Sequence, residues 1–245
     1  MKNTVKIQEV NPSFTNRRSF LKLSGLTVIG TGLLLAGCND TDDDNNDQNQ
    51  LPGVRNGVFD LGGGDLGVLT YAYALEQLEA DFYTKVVNAS GFNSFPDADR
   101  QVLTDLYHHE VIHREFFKTA LTGALPDPST QLLPALAFDY GSLNFNNRDQ
   151  VLATAKALED TGVAAYNGAA KQITSVDYLL LAGKIVSVEA RHASAIRSLI
   201  NPNSNSFAGD DVISTSNGLD QAKEPAEILG VAGGFITTEF TANYL

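Results

Sequence analysis

Between residues 64 and 200 the apolar side chains return at steps of three and four, the spacing that holds them on one face of an α-helix. Four stretches follow this rule: 64–87, 96–121, 149–173 and 175–200. Each holds about 25 residues and would be about 37 Å long at about 1.5 Å per residue. Asp97 and Ser175 stand where N-caps are expected, and Pro202 follows the end of the fourth stretch. The connections are unequal. A short turn over residues 91–96 joins the first pair, and Thr174 and Ser175 join the second. Between the pairs lie about 25 residues with Pro126, Pro128, Pro134 and Gly141, enough at about 3.3 Å per residue to travel the length of a bundle. Short, long, short is the pattern of an all-α, antiparallel four-helix bundle with one long crossover between helices two and three. The bundle is expected over residues 59–200, with a C-terminal extension over 201–245 packing on it.

The apolar faces also carry polar groups. Glu76, Glu79 and Tyr83 share the first face, Glu110 and His113 the second, Glu159, Gly162 and Tyr166 the third, and Glu189 and His192 the fourth. An unpaired carboxylate turned inward costs roughly several kcal/mol. Lysine or arginine, protons or metal ions could compensate, and these faces carry no Lys or Arg. The polar positions also repeat. Glu76 is followed seven residues later by Tyr83, and Glu159 seven later by Tyr166. Each pair precedes a Glu-x-x-His on the next helix, 34 residues on from Glu76 to Glu110 and 30 from Glu159 to Glu189. The shared seven-residue step favours Glu76 over Glu79 as the counterpart of Glu159, which leaves Glu79 a supporting role. His108 and His109 lack a glutamate three residues before them and read as surface or supporting residues, and Glu115 and Asp160 as solvated.

The N-terminus has a different character. Residues 15–22 read TNRRSFLK, and a mild apolar run of fifteen residues leads to Cys38, the only cysteine. That run is short for a membrane span, which needs about 20 residues, and suits a signal-peptide core. The Arg17-Arg18 pair resembles a twin-arginine export signal, and Leu35-Ala36-Gly37-Cys38 resembles a bacterial lipoprotein box, in which the cysteine is lipidated. A signal peptide over 1–37 and an acidic, disordered tether over 38–58 are therefore expected, with the protein exported and lipid-anchored at Cys38 to a bacterial membrane, periplasmic or at the cell surface. Cleavage would make the net charge more negative, from −12 to −16. Such a balance argues against nucleic acid as a partner. A single cysteine excludes an internal disulfide and a thiolate zinc site.

The paired Glu-x6-Tyr and Glu-x-x-His units resemble the ferritin-like superfamily of carboxylate-bridged dimetal proteins. The segments YALEQLEADFY (73–83), EVIHREF (110–116), VEARHAS (188–194) and EPAEILGVAGGFI (224–236) resemble its bacterial branch related to desiccation-associated proteins. The resemblance implies that Glu76, Glu110, His113, Glu159, Glu189 and His192 hold two iron or manganese ions, with Glu110 and Glu189 as bridges. Oxygen-rich sites with one imidazole each suit those metals. It implies redox chemistry on peroxide, dioxygen or Fe(II), of catalase, peroxidase or ferroxidase type, with Tyr83 and Tyr166 as candidate catalytic residues. It is equally compatible with a non-catalytic, metal-binding stress or desiccation lipoprotein, and it leaves a homo-oligomer open. A fold of this kind does not by itself decide between them.

Overall fold

The computed structural model describes residues 50–245. The expected export signal, Cys38 and the tether up to residue 49 lie outside the described residues. Four long helices form as the apolar spacing requires: α1 (Gly64–Val87), α2 (Asp97–Ala124), α3 (Arg148–Ala169) and α4 (Val176–Ile200). The closest packing is α1 on α2 and α3 on α4, two hairpins that meet along a shared core. Among the described residues no helix is long and apolar enough to cross a membrane.

The helix starts show why the chain folds here. Ser175 caps α4 by accepting from the Tyr178 amide at 3.4 Å, and Asn147 caps α3 by accepting from the Gln150 amide at 3.0 Å. Asp97 is not a cap. Pro96 holds that place, and Asp97 is the first helical residue, paired with Arg100 at 2.5 Å. Asp65, in the first turn of α1, accepts from the amides of Thr174 at 2.6 Å and Ser175 at 3.0 Å, tying the second hairpin's turn to the first helix.

Helix α1 is buried without a break from Gly67 to Ala80, because the crossover covers its outer side. Gln77 recognises that crossover by its backbone: its Nε2 donates to the Pro134 carbonyl at 3.3 Å, and its Oε1 accepts from the Leu136 amide at 2.9 Å. Tyr140 donates to Asp81 at 3.0 Å one turn further on. A buried amide satisfied at both ends fixes the path of a loop that has no helix of its own along this part.

The last residues of the expected tether are folded. Gly53–Arg55 (β1) and Val58–Asp60 (β2) pair antiparallel around Asn56-Gly57, both with positive φ, the turn that such a hairpin needs. Phe240–Thr241 (β3) adds to β2 in parallel. The Asp60 carboxylate is buried beneath this small sheet and accepts from the Gly62 amide at 2.8 Å, Thr241 Oγ1 at 2.6 Å and Asn243 Nδ2 at 3.0 Å. The C-terminal extension is also held beyond this sheet. A short helix, α5 (Pro225–Ala232), buries Pro225, Ile228 and Ala232. Arg197, buried at the end of α4, grips Asp160 at 2.7 Å and Asp211 at 2.9 Å, so Asp160 is ion-paired rather than solvated.

Candidate metal centre

Each helix brings its polar residues to one point. Helix α1 supplies Glu76, α2 Glu110 and His113, α3 Glu159, and α4 Glu189 and His192. The four glutamates are fully buried. They form two groups of four, Glu76–Glu110–His113–Glu189 and Glu110–Glu159–Glu189–His192, and within each group one ligand atom per residue lies within 4.8 Å of the others. Glu110 and Glu189 belong to both.

The distances show convergence rather than ordinary pairing. His113 Nδ1 is 2.8 Å from Glu189 Oε1, 3.4 Å from Glu110 Oε2 and 3.5 Å from Glu76 Oε2. His192 Nδ1 is 2.7 Å from Glu110 Oε1, 3.1 Å from Glu189 Oε2 and 3.5 Å from Glu159 Oε2. One ring nitrogen carries at most one hydrogen, so it cannot serve three oxygens. Despite their closeness, His113 Nδ1, Glu189 Oε1, both oxygens of Glu110, Glu76 Oε2 and Glu159 Oε2 have no aligned hydrogen-bond partner. Buried polar atoms are otherwise nearly always partnered, so oxygens and nitrogens aimed at a common point fit a cation. Carboxylates with one imidazole on each side are a donor set that can hold a metal ion.

The charges agree. Burial, with Glu110 and Glu189 nearby, pushes the Glu76 carboxyl well above its ordinary range. Burial brings Glu159 up to about 7 against the pull of His192. Burial would raise Glu110 too, but the imidazoles of His113 and His192 hold it down to about 2. Burial alone would lower His113, yet Glu110, Glu189 and Glu76 push it up to about 12. His192 moves in the same direction for the same reason. Without a metal, protons neutralise this cluster, and a cation would displace them.

The tyrosines cross between the hairpins. Tyr83 of α1 donates to Glu159 Oε1 of α3 at 2.5 Å, and Tyr166 of α3 donates to Glu76 Oε1 of α1 at 2.5 Å. Each glutamate is thereby held through one oxygen while the other faces the cluster. Glu79 stands outside both ligand groups but is buried, and burial pushes its carboxyl well up. Its Oε1 lies 3.0 Å from where a Cβ on Gly162 would stand. The repeat breaks at these two residues because the glycine makes room for the carboxylate. His108 is exposed against Tyr107. His109 is not idle: its Nδ1 lies 2.9 Å from His192 Nε2, behind the ring and away from the carboxylates. Its sequence signal is that it immediately precedes Glu110, where the second repeat has Val188.

No curated protein matches the chain at a significant level. A family model described as a ferritin-like domain matches residues 64–202. The match starts at the first residue of α1 and ends just beyond α4, so it takes in every helix that feeds the cluster and more than half of the chain: the protein belongs to the ferritin-like domain family.

Proposed function

We propose that the protein is an exported, lipid-anchored dimetal oxidoreductase that binds two iron or manganese ions and acts on peroxide or dioxygen in protection against oxidative or desiccation stress. The observation that carries this reading is the pair of four-residue groups sharing Glu110 and Glu189. Two ions held that way would supply paired one-electron changes to a small oxidant. The chain's own residues provide the rest. Glu76, Glu159, Glu110 and Glu189 bring four carboxyl groups to a site from which bulk water is excluded. Tyr83 and Tyr166 orient Glu159 and Glu76 by their hydroxyl protons. Burial pushes the carboxyl of Glu79, one turn along from Glu76, upward and so favours its protonated form. The His113 side chain is 13% exposed against 3% for His192, which makes the α2 side the open approach for a small molecule.

The export motif supports the same reading, since a twin-arginine signal carries folded protein and lets ions be inserted before export. Metal analysis of the purified protein should find close to two transition-metal ions per chain. The loaded protein should consume hydrogen peroxide, with or without Fe(II), and His113→Ala should not. Oxygen release without a reductant would mark dismutation of peroxide; loss of Fe(II) would mark a ferroxidase. If loaded wild type is as inert as His113→Ala in both assays, the enzyme reading fails, and a metal-stabilised, non-catalytic lipoprotein takes its place.

A further inference from the structure

The two halves of the cluster differ in what stands behind each imidazole. His109 Nδ1 and His192 Nε2 are 2.9 Å apart, with ring centroids 5.1 Å apart and planes 14° from parallel. At that separation the rings lie edge to edge in nearly one plane. The approach therefore runs along the direction of a ring lone pair, as a hydrogen bond requires. Among the described residues, no side chain hydrogen-bonds the His113 ring from outside in this way. The repeat has Val188, which cannot accept a hydrogen bond, at the position equivalent to His109.

We propose that His109 is a positioning residue for His192: it accepts a hydrogen bond from His192 Nε2–H and makes the Glu110–Glu159–Glu189–His192 position the tighter of the two cation positions. This rests on the two-ion reading above. A neutral imidazole carries one hydrogen, so a ring that offers Nδ1 to a cation must hold its hydrogen on Nε2. An acceptor behind Nε2 fixes that tautomer and the ring's orientation and makes Nδ1 more basic. Such outer partners are worth about 10–100-fold in metal affinity. His109 is not itself a ligand, because the His192 ring stands between its Nδ1 and the carboxylates. Its own hydrogen then sits on Nε2, on the far side of the ring.

The test is a cobalt(II) titration of the metal-stripped full chain, followed by the visible absorption of the bound ion. Wild type should bind two ions in two steps. His109→Leu should weaken the first step about 10–100-fold and spare the other. His109→Asn places an acceptor oxygen as many bonds from Cα as Nδ1 and should recover most of the loss. In a Glu76→Ala background His109→Leu should weaken the remaining ion, and in a Glu159→Ala background it should not. The melting temperature of the stripped protein should be unchanged in both His109 variants, because the residue is exposed. The proposal is overturned if His109→Leu binds both ions like wild type, if Asn is as weak as Leu, if the two backgrounds respond alike, or if both stripped variants melt lower. A wild type that binds no cobalt(II) would instead remove the two-ion reading itself.

Discussion

Burial brings Glu159 up to about 7 and the surrounding carboxylates push His113 up to about 12, so a metal ion entering at neutral pH must displace protons at these two ligands. Each proton displaced makes affinity rise with pH, because the metal competes with hydrogen ions for the same atoms. Falling pH through 7 adds a proton to Glu159 and should weaken binding further. Calorimetric titrations in two buffers of different ionisation enthalpy should show net proton release at pH 7; heats independent of the buffer would remove this account. The crossed tyrosines make a second prediction. A hydrogen bond to a charged group is worth about 1.5–3 kcal/mol, so Tyr83→Phe should loosen Glu159 and weaken the ion beside His192 roughly tenfold or more. Tyr166→Phe should act on the ion beside His113. Isotherms in which each variant instead disturbs the glutamate of its own helix would contradict the crossing.

Two glycines of α3 set how neighbouring elements approach. A Cβ on Gly168 would stand 1.7 Å from the Lys223 carbonyl oxygen, and Lys223 donates its amide to the Ala164 carbonyl at 3.0 Å. Backbone cannot swing aside as a side-chain tip can. Gly168→Ala should therefore cost about 1–3 kcal/mol in urea denaturation. Hydrogen exchange should quicken over residues 201–245 first, since that segment has to lift. Gly162→Ala meets only the flexible end of Glu79, at 3.0 Å. There the helix-favouring alanine, worth about 1 kcal/mol over glycine, should offset most of the strain. A Gly168→Ala protein with wild-type stability and exchange would mean that the extension docks elsewhere.

For the molecule as a whole, the cluster sets a condition on stability. Four fully buried carboxyl groups converge at the centre of a single bundle, and two of them, Glu76 and Glu159, are pushed upward by burial and by neighbouring carboxylates. Cations that bind only the folded state stabilise it by mass action, about 2.7 kcal/mol for each ion supplied at 100 times its dissociation constant. With both ions removed, metal-stripped protein should thus melt about 10–20 °C below the loaded form, at roughly 2–4 °C per kcal/mol for a chain of this size. Equal melting temperatures would mark the site as vestigial. At the same scale, Cys38→Ser should release the mature protein from membranes. An acyl chain contributes about 0.8 kcal/mol per buried CH₂, and among the described residues no helix is long and apolar enough to replace it. A Cys38→Ser protein still pelleting with membranes would refute the lipoprotein reading.

The four helices, and the inward faces on which the six cluster residues stand, are legible in the sequence alone. Both are local properties: a period of three to four residues, and Glu-x6-Tyr and Glu-x-x-His units whose members share one helix face at any position in a fold. Ser175 as a cap was equally legible, because a cap contacts only its own first turn. The hairpin at Gly53–Arg55 and Val58–Asp60 was also signalled, by Asn56-Gly57, although the acidic run before it pointed to a continuous tether. Other relations depend on how helices are rotated and set in register against one another, which periodicity does not encode. Tyr83 reaching Glu159 instead of Glu76, Glu79 finding its room at Gly162, and Arg197 closing on both Asp160 and Asp211 are of this kind. So is His109, separated from His192 by 83 positions yet within 2.9 Å of it. Only the packed bundle decides such pairs, because each requires two surfaces to meet at one angle and one depth.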